Sequence, residues 1–284
     1  MNLITWNIQW GRGVDGRVDL KRIVDHALQM ADFDVLCLQE VSRNYPGLSG
    51  TGGADQFAAL VGLLPEYCAI KGIAAERHTA GVGVQQFGNM IFTRLAVLQV
   101  LRHQLPWPAD PDTASTPRMA LEAVLDAPGG PLRVTTTHLE YYSKRQRAAQ
   151  IEALRAIQQE ADGHRGNAVD PKRDGTPFEA RARTGRGVLC GDFNCAEDDP
   201  LIARLQEPFA DGTPRLLDGW PIAHPGQRHA NTVGLHDTQQ WKGKQHCFDF
   251  FFVSADLAPK VRTFVACEQT QASDHQPLLL TLDF

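Results

Sequence analysis

Val188-Leu189-Cys190-Gly191-Asp192-Phe193-Asn194 carries an apolar run into a glycine and then sets a carboxylate and a carboxamide on either side of one phenylalanine. Strand geometry sends alternate side chains to one face, so Asp192 and Asn194 point the same way if the strand persists. A carboxylate takes a proton from water, and a carboxamide NH2 donates to a phosphate oxygen. That pairing suits metal-assisted attack on phosphate. Gly-Asp is also a common strand-ending turn, so the rest of the chain has to decide between the two readings.

The chain has 284 residues, a length at which two packed sheets or an α/β barrel form one unit, and a single domain over 1–284 is expected. With 43% hydrophobic and 21% charged residues and no apolar run long enough for a bilayer, the composition is that of a soluble globular protein. Met1 to Asn7 enters a strand pattern directly, with no basic region followed by a long apolar segment, which predicts the cytoplasm. The six cysteines are widely spaced and form no C-x-x-C pair, which favours buried thiols over disulfides or zinc. A net charge of −5 gives no general attraction to a polyanion, although a local basic patch would still allow one.

Outward from the central stretch, apolar runs recur and stop at polar residues. Leu3 to Ile8 alternates as a half-buried strand through Asn7, and Asp19 caps a predicted helix with Leu20, Ile23, Val24, Ala27 and Leu28 at helical spacing. Asp34 to Glu40 reads as a buried strand ending in a carboxylate. A helix is expected from about Asp55 to Leu64, and short strands near Tyr67–Lys71, Asn89–Thr93 and Val97–His103. Prolines between Pro106 and Pro117 predict a surface loop, and Met119–Leu125 with Leu132–Leu139 a hairpin. The Ser143–Ala161 stripe predicts a helix, and Asp199-Pro200 opens another near Leu201–Leu205. The segment 162–187, with six basic residues, is expected to be an extended loop overhanging any site at Asp192. Trp220–His246 reads as a second irregular stretch, followed by strands near Cys247–Val253, Val261–Cys267 and Pro277–Leu282. The halves echo one another loosely, a pattern that two packed sheets flanked by helices would fit.

Asn7, Glu40, His138, Asp192 with Asn194, and Asp274 with His275 all sit at strand ends. Taken singly, each has a structural explanation: a turn, an exposed strand end or a hydrogen-bonded histidine. Their recurrence points instead to loops at one end of a rigid scaffold displaying a common chemistry. Thr5-Trp6-Asn7, Leu38-Gln39-Glu40, Thr137-His138-Leu139-Glu140, Gly191-Asp192-Phe193-Asn194, Phe248 to Ser254 and Ser273-Asp274-His275 appear in that order. In this the chain resembles the endonuclease/exonuclease/phosphatase superfamily over nearly its whole length.

The resemblance implies an α/β fold, a four-layer sandwich of two packed mixed β-sheets flanked by helices. It implies Glu40 as the principal metal ligand, with Asn7 and Asp274 as ligands or metal-water anchors, and Mg²⁺ or Mn²⁺ as the metal. Asp192 would activate water, Asn194 would hold a nonbridging oxygen and His275 would contact the scissile phosphate. Asp249 would orient His275. His138, a tyrosine in some members, would stabilise phosphate charge or protonate the leaving group. Arg147 would either reach the site or form a surface ion pair. His224, His229, His236 and His246 fit no ligand spacing and read as rim or surface histidines. Trp220 and Trp241 would stack on substrate or anchor their loop.

The resulting expectation is a divalent-metal-dependent phosphodiesterase or nuclease. A phosphatase or phosphodiesterase acting on inositol, lipid or other small phosphoesters is the alternative, and a binding protein with a disused site the third reading. Partners are a phosphate-ester substrate, including nucleic acid; nothing in the sequence marks a membrane span or an obligate protein partner.

Overall fold

The computed structural model describes residues 1–166, 171–179, 183–237 and 240–284. Its first half runs β1 (Asn2–Asn7), α1 (Leu20–Met30), β2 (Val35–Arg43), α2 (Gln56–Leu63), β3 (Cys68–Thr79), β4 (Gly83–Thr93), β5 (Val97–Gln104), β6 (Met119–Ala127) and β7 (Gly130–His138). The second half runs α3 (Lys144–Gly163), β8 (Gly187–Asp192), α4 (Pro200–Leu205), β9 (Leu216–Asp218), α5 (Gly219–Ala223), β10 (Asp249–Ser254), β11 (Val261–Ala266) and β12 (Leu278–Leu282).

Two six-stranded sheets result, ordered β3-β4-β2-β1-β12-β11 and β5-β6-β7-β8-β10-β9. Each has one parallel pair at its centre, β1 with β2 and β7 with β8, flanked by antiparallel neighbours. The loose echo between the halves is this repeated pattern. The central strands are buried on both faces, which is why they read as unbroken apolar runs. Val35 and Cys37 enter the core between the sheets, whereas Leu36 and Leu38 face α1 and α2. In β10, Phe251 and Val253 enter the same inter-sheet core, while Phe250 and Phe252 pack toward α3 and α4. Burial on this scale stabilises by about 1.5–3 kcal/mol per large apolar side chain. The architecture is the expected four-layer sandwich.

Helix starts follow local chemistry. Asp19, Asp55 and Ser143 accept the N–H groups of Arg22, Ala58 and Gln146. Asp199 caps α4 with Pro200 in its first turn, and Asp218 caps α5. Three expectations change. The short strands near residues 67–71 and 89–93 are the inner ends of a longer β3–β4 hairpin, whose outer part is largely solvent-exposed and so lacks an apolar signature. Gly219–Ala223 forms a short helix at the start of the Trp220–His246 stretch that was expected to be irregular, and Leu216–Asp218 before it adds a short strand.

The third change concerns 162–187, of which 167–170 and 180–182 lie outside the described residues. Because β7 and β8 are parallel, α3 must carry the chain back to the start of β8, and Gly187 lies five residues, roughly 16 Å, from Asp192. Arg186 accordingly donates to the carbonyls of Gly129 and Gly130 in the β6–β7 turn, at the end opposite Asp192. The described part of the segment does not overhang Asp192. Arg183 is buried and pairs with Glu122 at 2.9 Å and Glu160 at 2.8 Å. Glu122 also meets Arg133 at 3.3 Å and His103 at 3.4 Å.

Burial alone would raise the Glu122 carboxyl, but His103, Arg133 and Arg183 outweigh it and hold the group at about 2. Burial lowers Arg133 as well, but a guanidinium stays charged throughout the ordinary pH range. A carboxyl depressed in the folded state stabilises above its unfolded value and loses that stabilisation as pH falls toward its folded value. Glu122 is therefore expected to contribute on the order of 3 kcal/mol near neutrality, lost between roughly pH 5 and 2. Urea titrations across that range should show a shallower acid dependence for Glu122→Gln than for the parent. At Gly191, φ is +129° and an added Cβ would lie 2.0 Å from the Thr137 carbonyl oxygen. Gly191→Ala should thus lower folding stability by about 3 kcal/mol, measured as a lower urea midpoint.

Candidate active site

The parallel pairs place the ends of β1, β7 and β8 and the Glu40 region of β2 at one end of the sandwich. Asn7 closes β1, His138 closes β7 and Asp192 closes β8, while Asp249 opens β10 beside Asp192. His138, Asp192 and Asp249 stand in register across three neighbouring strands. Glu40 reaches the same place through an irregularity in the β2–β4 pairing between Leu38 and Val41. Simple alternation would turn Glu40 toward the helices with Leu38; its backbone at φ +61° redirects it.

The structure brings the predicted residues together. Asn7 Nδ2 donates to Glu40 Oε1 at 3.1 Å and to Asp192 Oδ2 at 2.9 Å, while its Oδ1 accepts the Gln9 N–H at 3.0 Å. His138 Nε2 lies 3.5 Å from Asp192 Oδ2 and 3.9 Å from Glu40 Oε1. His275 Nε2 lies 3.7 Å from Asp192 Oδ2, and its Nδ1 lies 2.8 Å from Asp249 Oδ2. Asn194 donates its backbone N–H to Asp192 Oδ1 and one side-chain N–H to the Leu139 carbonyl, each at 2.9 Å, and lines the cleft with Asp274. Trp6 Nε1 donates to the His275 carbonyl at 2.9 Å and Ser273 Oγ to the Asn7 carbonyl at 2.8 Å, tying the Asp274 loop to β1.

Burial pushes Asp192 up to about 7; Asp249 adds to that rise, against the opposing pull of His275, Asn7 and the Asn194 N–H. Glu40 is raised by burial and by the charge of Asp274, and Asp274 is itself raised by burial. The two histidines move apart. Burial lowers His138 well below its ordinary value, helped by Arg118 and His275. Burial would also lower His275, but Asp249, Asp192 and Asp274 outweigh it and raise that group well above its ordinary value. At neutral pH these opposite shifts favour the neutral form of His138 beside the cationic form of His275.

The donor set fits a hard cation. Glu40, Asp192, Asp249 and Asp274 crowd carboxylates around His275, Asp249 Oδ1 is buried without a hydrogen-bond partner among the described residues, and oxygen donors predominate. Among the described residues, Asp192, Asp249 and His275 place ligand atoms within 4.8 Å of one another.

Sequence reading missed Arg118. Its Nη1 lies 3.1 Å from both ring nitrogens of His138, and its Nε pairs with Glu140 Oε2 at 3.2 Å. No sequence signal pointed to it: Glu140 needs a cation because the fold buries it fully, which the chain alone does not show. Arg147 neither forms a surface ion pair nor lines the cleft: it is buried and donates to the Glu140 and Tyr141 carbonyls at 2.7 Å. His229 pairs with Asp218 at 2.7 Å, His224 meets the Phe264 carbonyl at 2.7 Å, and Trp220 packs on both, so these residues anchor the loop. Trp241, by contrast, lines the cleft.

That cleft is about 810 Å³ and holds Glu40, His138, Asp192, Asn194, Asp274 and His275. A second hollow, about 480 Å³, lies beside α1 and contains none of them.

The sequence profile described as the Endonuclease/Exonuclease/phosphatase family matches residues 4–275. No curated protein matches the sequence. Among solved structures, an endonuclease/exonuclease/phosphatase from Beutenbergia cavernae is similar at TM-score 0.66 and 22% identity, with all of this chain and 72% of that one covered. A mannosyl-6-phosphatase from Bacteroides thetaiotaomicron gives 0.64 and 16%, with both chains covered in full. Truncated TDP2 from Caenorhabditis elegans gives 0.63 and 19%, covering all of this chain and 97% of that one. With the profile running through the first five of the six sequence motifs and reaching the last at His275, the chain belongs to the endonuclease/exonuclease/phosphatase family, whose membership supports a phosphoesterase.

Proposed function

We propose that the protein is a divalent-metal-dependent phosphoester hydrolase, acting on phosphodiesters, in which Asp192 activates the attacking water. The observation that carries this reading is the setting of Asp192: a buried carboxyl pushed up to about 7, held by Asn7 and lying between two histidines in opposite charge states. A base poised near the working pH is what water activation requires.

Glu40 would be the main holder of Mg²⁺ or Mn²⁺, with Asp274 close by and Asn7 keeping the Glu40 and Asp192 carboxylates in place. When bound, such a cation supplies charge neutralisation on phosphoryl oxygens. Asp192 takes the proton of water attacking in line with the leaving oxygen. His275, kept cationic by Asp249, binds a nonbridging oxygen, and the remaining Asn194 N–H reaches another. His138 is neutral, so of its two expected roles hydrogen-bond donation to the developing charge is favoured over acid catalysis. The mannosyl-6-phosphatase neighbour supports phosphoester hydrolysis in general terms. Nucleases and small-phosphoester hydrolases share this chemistry, and the walls of the cleft choose between them.

Assays with Mg²⁺ against plasmid DNA, RNA and a panel of small phosphodiesters and phosphomonoesters test the reading. Asp192→Asn should lower kcat by at least about 100-fold, and EDTA should abolish turnover until Mg²⁺ or Mn²⁺ is restored. Full activity in either condition would refute it. Asp249→Asn should lower kcat and shift the His275 imidazole titration, followed by NMR, to lower pH, because the carboxylate that raises it is gone. An unmoved titration would remove Asp249 from its assigned role.

A further inference from the structure

We infer that the cleft selects a compact phosphoester whose ester-linked group carries a flat aromatic ring, and that it is not built to follow a polynucleotide. The inference rests on the phosphoester reading of the floor but draws on the walls. Trp10 and Tyr45, from the connections of the first sheet, Phe87, from β4 of that sheet, and Trp107, Tyr141 and Tyr142, from the connections of the second, all line it. Trp107, Tyr141 and Tyr142 are 51%, 43% and 68% exposed, an apolar grouping left open to water at the mouth above the polar floor. Large flat side chains in such a position offer a stacking surface to a ring.

The charges point the same way. Among the described residues lining the cleft, Arg77 and Arg118 are the only arginines and there is no lysine. Arg118 is already paired with Glu140, and Arg77 sits over the Tyr45 ring at 5.9 Å. A polynucleotide would need a row of cations along successive phosphates. The basic residues that the sequence placed near the site belong to 162–187; Arg183 and Arg186 there are bound to Glu122 and to the far β6–β7 turn. No described residue of that segment lines the cleft. A volume of about 810 Å³ is that of a small-molecule site. One phosphoryl group on the floor and one ring against the walls account for both the size and the lining.

Binding of nonhydrolysable phosphonates tests this independently of turnover. Methylphosphonate, benzylphosphonate and thymidine 5′-phosphonate would be titrated with Mg²⁺ by calorimetry, and a single-stranded oligodeoxynucleotide alongside at two salt concentrations. At least one ring-bearing phosphonate should bind roughly tenfold more tightly than methylphosphonate; the tighter of the two identifies an aryl group or a nucleobase as the ring. Tyr142→Ala and Trp107→Ala, at exposed positions, should each bring that ratio toward one, whereas Leu28→Ala, on the exposed face of α1, should keep it. Absence of a ring-dependent difference, including absence of binding, overturns the inference. So does a ratio untouched by both aromatic substitutions, or an oligonucleotide that binds more tightly than either ring phosphonate with a log–log salt slope steeper than about −1.4, the value for two phosphates on a single strand. Ring-dependent binding without hydrolysis would sink the hydrolase reading alone, and hydrolysis without ring preference would sink this one alone.

Discussion

The hydrogen bond from Asn7 Nδ2 to Asp192 Oδ2, at 2.9 Å, crosses from one sheet to the other, and the site exists only where that crossing is possible. Asn7 and Glu40 belong to the first sheet; His138, Asp192 and Asp249 belong to the second. One layer below, Gln39 Nε2 bridges Thr5 Oγ1 at 3.0 Å and Thr136 Oγ1 at 2.8 Å, a polar tie at the end of an otherwise apolar seam. The apolar contact between the sheets supplies the adhesion, and these few hydrogen bonds set which strand ends face each other.

Holding the site costs stability, and the cost is visible in the backbone and in the charges. Gln9, Trp10, Glu40 and Asn194 all adopt positive φ, between +44° and +61°, and all lie in or beside the cleft. Each such residue costs on the order of 1–3 kcal/mol. Carboxylates brought together away from water add an electrostatic cost that only a cation or protons can relieve. Strain and unneutralised charge persist here because the two double-faced sheets stabilise the fold elsewhere. The Glu122 cluster, far down the second sheet, is the contrasting case: its carboxylate is matched by two guanidinium groups and serves packing rather than chemistry.

Much of the fold was legible because its signals are local. Double-faced burial produces unbroken apolar runs, as in Val35 to Leu38, and the residues at helix starts announce themselves as Asp or Ser. The outer part of the β3–β4 hairpin was invisible because its exposed and half-buried residues leave no apolar run to read. The described part of segment 162–187 was misplaced for a topological reason: adjacency in sequence to Gly191-Asp192 meant adjacency to the start of β8, and a parallel strand starts at the end away from the site.

The candidate site divides in the same way. The sequence by itself determined which side chains are available and in what order, since strand ends that stop at Asn, Glu, His and Asp are a property of residue type and spacing. Only the tertiary structure decided what those side chains do to one another. Trp6 and His275, 269 residues apart, must meet before the Asp274 loop is tied to β1, and His138 must be buried, with Arg118 against it, while Asp249, Asp192 and Asp274 gather around His275, before the two imidazoles are driven to opposite sides of their ordinary value. Proton affinity depends on burial and on the nearest charges, and neither is a property of a stretch of chain. The same holds for the aromatic walls, whose six members come from five separate segments and become a surface only when the sheets close on one another.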